Sequence, residues 1–66
     1  MKIEIRQKDT KTREWHTVSR FEYGIHAMEA AKALSKATGA LFKVIDWRWP
    51  DDAEKSSIIY RNGIAS

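Results

Sequence analysis

The chain has 66 residues, 12 Lys and Arg against 9 Asp and Glu, and no cysteine, which bounds it to one domain spanning residues 1–66. A disulfide framework and thiolate metal sites are excluded, and cysteine-free chemistry favours a reducing cytosol. Hydrophobic residues make up 42% and charged residues 32% with both signs interspersed, so the chain should fold, while the formal charge of +3 is a mild bias.

The opening Met1-Lys2-Ile3-Glu4-Ile5-Arg6 alternates charge with isoleucine, the period-two pattern of a half-buried strand, and predicts strand one over 2–8. It lacks the apolar stretch of a signal peptide. Apolar runs such as Ala40-Leu41-Phe42 are too short to cross a membrane, so no membrane partner is expected. Lys8-Asp9-Thr10-Lys11-Thr12-Arg13 follows, with three bases, one acid and turn-forming residues. It reads as a hairpin tip with solvated lysines, or as a finger that contacts phosphate.

Glu14 to Phe21 is rich in β-branched and aromatic residues and predicts strand two, paired back on strand one. Gly24 punctuates, and strong helix formers run from His26 to Thr38. Ala27, Ala30, Ala31, Leu34 and Ala37 or Thr38 form one apolar face, with Leu34 and Met28 as the larger packing side chains. Gly39 is placed to end the helix in a left-handed conformation. Ala40 to Trp49 returns to strand chemistry, and its nearly continuous Leu41-Phe42-Lys43-Val44-Ile45 makes it central. Pro50 to Lys55 is turn-like, Ser56 to Arg61 is a fourth strand, and Asn62-Gly63 is a turn near the terminus.

The expected fold is therefore α+β, a ββαββ chain with one helix packed on one face of a four-stranded antiparallel sheet in the order 2-1-3-4. More polar strands then lie at the edges. Side chains alternate faces along a strand. If Phe42 and Val44 join Ile3 and Ile5 beneath the helix, Ile45, Trp47 and Trp49 share the opposite face. Placing Val18 inward in strand two puts Trp15 and Thr17 on that same open face, with Glu4 and Arg6 between Trp15 and Trp47. The reverse register buries Ile45 and Trp47 and exposes Phe42 and Val44. The first is preferred because the second seats Lys43 in the core, although the first must accommodate Asp46 near the core's end.

No catalytic signature is present. His16 and His26 have no ligand spacing with each other or with Asp46, Asp51, Asp52 and Glu54, so no metal or cofactor is expected. The carboxylates of the 51–54 turn are adjacent and solvated rather than recessed. The serines lack a nucleophile elbow, and no glycine-rich loop exists to cradle phosphate.

Three tryptophans are many for so small an interior, and Trp and Arg are the residue types that most often anchor interfaces. Trp15, Trp47, Trp49, Arg48 and Arg6 are the candidate protein-binding surface, with the indoles as anchors. The plainer alternative is that individual indoles complete the core or cover the second sheet face. A nucleic-acid module is the other functional reading, with Lys8, Lys11 and Arg13 on phosphate and the tryptophans on bases. A homodimer that hides its own indoles is a third, so monomer and dimer both stay open.

Ala27-Met28-Glu29-Ala30-Ala31 through Thr38-Gly39, then Phe42-Lys43-Val44-Ile45-Asp46 and Ile58-Ile59-Tyr60-Arg61-Asn62-Gly63, resembles a pattern found in short phage and prophage accessory proteins, including some type I anti-CRISPR proteins with a ββαββ layout. The likeness covers about residues 26–63 and is one of structural punctuation, so no functional residue is carried over. It implies a bacterial or phage-infected cytosol. It also implies a non-enzymatic mode of action in which a small rigid protein binds and blocks a host protein or protein complex.

Overall fold

The computed structural model describes residues 2–66. In chain order the elements are β1 (Ile3–Lys8), β2 (Trp15–Phe21), α1 (Gly24–Thr38), β3 (Phe42–Asp46), β4 (Ile58–Arg61) and β5 (Ile64–Ala65). The sheet is antiparallel in the order β2-β1-β3-β4-β5. The expected 2-1-3-4 order holds, but the sheet has five strands rather than four. Asn62 (φ 52°) and Gly63 (φ 83°) are both left-handed, the backbone of a tight hairpin turn whose twist matches the flanking strands, so the chain reverses once more.

The core lies between α1 and one sheet face. Ile3, Ile5, Phe42, Val44 and Tyr60 from the sheet meet Ala27 and Ala31 of the helix, with Phe21, Ala30, Ala40 and Ile58 packed partly against them. This is the preferred register, and the reverse one is excluded. The helix packs through a narrower stripe than its apolar spacing suggests. Its buried residues are Ala27, Ala31 and Ser35, whereas Leu34 and Met28 are exposed and are not the packing side chains expected of them. A serine takes the third position because its hydroxyl is fully satisfied. Ser35 Oγ donates to the Lys32 carbonyl at 3.0 Å and accepts the Gly63 amide at 2.9 Å, which ties the helix to the terminal hairpin. Gly39 (φ 75°) closes the helix, its amide bonding the Ser35 carbonyl at 3.0 Å.

Strand β2 departs from simple alternation. Ile5 pairs with Ser19 and Arg6 with Thr17, so Val18 has no partner across the ladder. This bulge leaves Val18 45% exposed, a correction to its expected inward position. Its effect is to reset parity. Trp15 and Thr17 share the open face with Lys8 and Arg6, while Phe21, opposite Ile3, turns back to the core. A second correction concerns β3, which ends at Asp46 rather than continuing to Trp49. Residues 47–56 are turns, and this segment folds over the open face. Ile45 lies opposite Glu4 on that face yet is 0% exposed, Ala53 is buried, and Glu54 reaches back to Arg6.

Candidate functional site

The open sheet face divides into a covered half and a bare half. Under the 47–57 segment sits Glu4, 4% exposed and surrounded by donors. Trp47 Nε1 donates to Glu4 Oε1 at 2.7 Å, Thr17 Oγ1 donates to Oε2, and Arg6 Nε lies 3.2 Å from Oε2. Arg6 also donates through Nη1 to Glu54 Oε1 at 3.3 Å, and its guanidinium stands 5.8 Å from the centre of the Trp47 ring. Trp47 is fixed from the backbone as well, its amide bonding the Lys2 carbonyl at 2.7 Å. Burial pushes the Glu4 carboxyl upward, but hydrogen bonds from Thr17, Arg6 and Trp47 together outweigh it and bring the pKa down to about 2. Arg6 is raised, chiefly by its bond to Glu4. Glu4 is thus an ionised carboxylate with its acceptor sites filled, a fastener rather than an acid or base.

Arg48 and Trp49 follow in the turn. Arg48 grips Asp46, with Nε at 2.9 and 3.0 Å from the two carboxylate oxygens and Nη2 at 2.6 Å from Oδ2. Those bonds hold Asp46 below, and Arg48 above, their ordinary pKa values. The Asp46 carboxylate at the core's end is accommodated by this pair. Trp49 is 72% exposed and lines an open hollow of about 400 Å³ with Ala53, Ile58, Ser56, Asp46 and Asp52. It does not share a strand face with Trp47, because the chain has left the sheet before reaching it.

The bare half of the face lies toward the β1–β2 turn. Trp15, half-buried, has Lys43 Nζ 4.5 Å and Lys8 Nζ 5.8 Å from its ring centre. These are cation–π distances. The turn beyond is ordered by Asp9, whose Oδ1 accepts the Lys11 and Thr12 amides at 2.7 and 3.3 Å, which lowers its pKa. Arg13 closes it with a left-handed backbone (φ 63°) and an amide bond to the Asp9 carbonyl at 2.8 Å.

No known protein family, characterised protein or solved structure gives a significant match to this chain.

The candidate residues are therefore not one cluster. Arg6 and Trp47 join the Glu4 network, Arg48 and Trp49 stand in the acidic turn, and Trp15 gathers with Lys8 near Lys11 and Arg13 at the other end of the sheet. Lys43 is the site residue the sequence reading passed over. Its signal was present: it alternates with Phe42 and Val44, so once those face the helix, Lys43 must face the same side as Trp15. Among the described residues no three His, Asp or Glu side chains converge to hold a metal ion. Among the described residues no helix is long and apolar enough to cross a membrane. Exposed apolar side chains also occur at Tyr23, Ile25, Met28 and Ile64, of which Ile25 and Met28 border a groove between α1 and β5.

Proposed function

We propose that this chain is a small non-enzymatic binding protein that occupies a surface on a host protein or protein complex, in the manner of phage-encoded inhibitors such as the type I anti-CRISPR proteins, and acts in a bacterial cytosol. The observation that carries this reading is the state of Trp49. Of the three indoles, one is bonded into the Glu4 network and one is half-buried between lysines. Trp49 alone stands largely in water, beside an open hollow. An indole buried on binding is a frequent energetic anchor, and Arg48, pinned by Asp46, presents a preorganised rim beside it. With Asp46 paired to Arg48 and Glu54 to Arg6, Asp51 and Asp52 are the carboxylates that leave this end acidic. That disfavours nucleic acid here and suits a protein surface offering a basic or apolar side chain.

The test pairs a stability measurement with a functional one. Trp49→Ala is expected to leave the unfolding midpoint of the chain unchanged and to abolish enrichment of its partner in quantitative affinity capture from host lysate. Expression of the wild-type chain, but not of Trp49→Ala, is expected to restore phage plating on cells with an active type I CRISPR system. If wild type and Trp49→Ala capture the same proteins in the same amounts, the reading fails.

A further inference from the structure

Beyond that reading, and independent of it, we infer that the bare half of the sheet face, built by Trp15, Lys8 and Lys43 with Lys11 and Arg13 in the adjoining turn, is a binding site for single-stranded nucleic acid. Charge complementarity is the first support. Among the described residues every ion pair involves Arg6 or Arg48, so Lys8, Lys11, Arg13 and Lys43 carry charge without a carboxylate partner. Of the acids near the sheet, Glu4 and Glu54 are paired with Arg6 and Asp46 with Arg48, which leaves Glu14, between Arg13 and Trp15, beside this face without an ion-pair partner, against four such cations. Asp9, within the turn itself, is occupied by two backbone amides.

Geometry is the second. Trp15 pairs with Lys8 across the β1–β2 ladder, and Lys43 pairs with Arg6 across β1–β3, so the indole and both ammonium groups rise from one face of three adjacent strands. Their ammonium groups rest 4.5 and 5.8 Å from the ring centre on flexible stems. A nucleotide stacking its base on the indole brings its phosphates one sugar away, where these ammonium groups can swing to meet them. Cations and an aromatic platform are thus side by side, as a strand with free base faces requires. Duplex bases are already stacked on one another and gain nothing from an indole.

The third support is the turn. Arg13 adopts a left-handed backbone that glycine or asparagine would accept with less strain, so a long cationic side chain is held at the tip against a local cost. The Asp9 bonds fix the backbone of the loop that carries it and Lys11, so the stems of both side chains start from a set position.

The experiment is fluorescence anisotropy with a labelled single strand of about 12 nucleotides. Four phosphate contacts on a single strand predict a log–log salt slope of about −2.8, or about a 50-fold loss of affinity between about 50 and 200 mM salt. Lys8→Ala with Lys43→Ala should reduce that loss to about sevenfold. Trp15→Ala should weaken binding while leaving the salt slope unchanged, and Trp15→Phe should restore part of it. Circular dichroism on each variant confirms folding, and Trp49→Ala, outside this face, should bind the strand like wild type. No binding at about 50 mM salt, equal or tighter binding of a duplex of the same sequence, or a lysine double variant with an unchanged slope would each overturn the assignment. Retention of the chain on phosphatidylserine vesicles with no binding to the oligonucleotide would instead make this face a membrane contact, and would overturn it too.

Discussion

Protonating Glu4 should release the segment that covers half of the sheet. The carboxyl has a pKa of about 2 in the folded chain against an ordinary value of 4.5, so folding favours its ionised form. Because the folded value is the lower one, this stabilisation is complete above pH 4.5 and is lost as the pH falls toward 2. At about 1.4 kcal/mol per pH unit the contribution is about 3 kcal/mol, nearly all of it gone by pH 2. A domain of this size has roughly 3–10 kcal/mol in total, so the loss is a large fraction. Urea titrations at steps from pH 7 to pH 2 measure it directly. Glu4→Gln keeps the shape but gives up the charge-assisted bonds to Arg6 and Trp47, and is expected to cost about 2 kcal/mol at pH 7. Its stability should then fall less than that of wild type between pH 5 and pH 2, the remaining slope reporting Asp9 and Asp46, which are also held below their ordinary values. Parallel pH profiles for wild type and Glu4→Gln would refute the assignment of Glu4 as the fastener.

Trp47→Phe removes the indole donor but keeps the ring, and should destabilise the chain by about 1–3 kcal/mol in urea unfolding, because Glu4 loses a partner it cannot replace from water. Gly63→Ala places a methyl group 3.3 Å from Lys36 Cβ on a backbone at φ 83° and should cost about 1–2 kcal/mol, read as a lower thermal midpoint. Arg13→Gly should do the opposite, relieving the left-handed strain for a gain of up to about 1 kcal/mol in the same assay, while lowering affinity for single strands.

Much of this arrangement was legible in the sequence, and what was missed has identifiable causes. The Ile3/Ile5 and Phe42/Val44 alternations identify the face that meets the helix and put Trp47 on the other side with Glu4 and Arg6, whereas Trp15 was placed there through an inward Val18 that the structure does not keep. Parity cannot foresee a bulge. Val18 is unremarkable as a residue, and its displacement emerges only when β2 must present Trp15 outward and Phe21 inward at once. The fifth strand was signalled by Asn62-Gly63 between Tyr60-Arg61 and Ile64, a strong hairpin turn that the shortness of the following segment concealed. Leu34 appeared to face the core by spacing, but the close helix–sheet approach permitted by Ala27 and Ala31 continues along the i+4 row to Ser35, which rotates Leu34 outward. The fate of the 47–57 segment depended on contacts between residues 48 and 43 positions apart, Glu54 with Arg6 and Trp47 with Glu4, which no local pattern encodes.

Those long-range contacts also explain how a mildly basic chain acquires two chemically distinct ends. Twelve bases against nine acids, evenly interspersed, give no patch by themselves. Folding draws Glu4 into the sheet and binds Glu54 to Arg6 and Asp46 to Arg48, so three acids are spent on two arginines. Ten bases and six acids remain to shape the surface, and they are not evenly shared. Asp51 and Asp52 stay beside Trp49, while Lys8 and Lys43 flank Trp15, with Lys11 and Arg13 in the turn that follows Lys8. The loop fastened by Glu4 over Ile45 stops short of Trp15, and the neighbouring half of the sheet keeps the unpaired Lys8 and Lys43. An exposed indole in an acidic turn and a half-buried indole between lysines are two consequences of one structural choice: a small domain completes its second face with a loop fastened by Glu4 instead of a second helix.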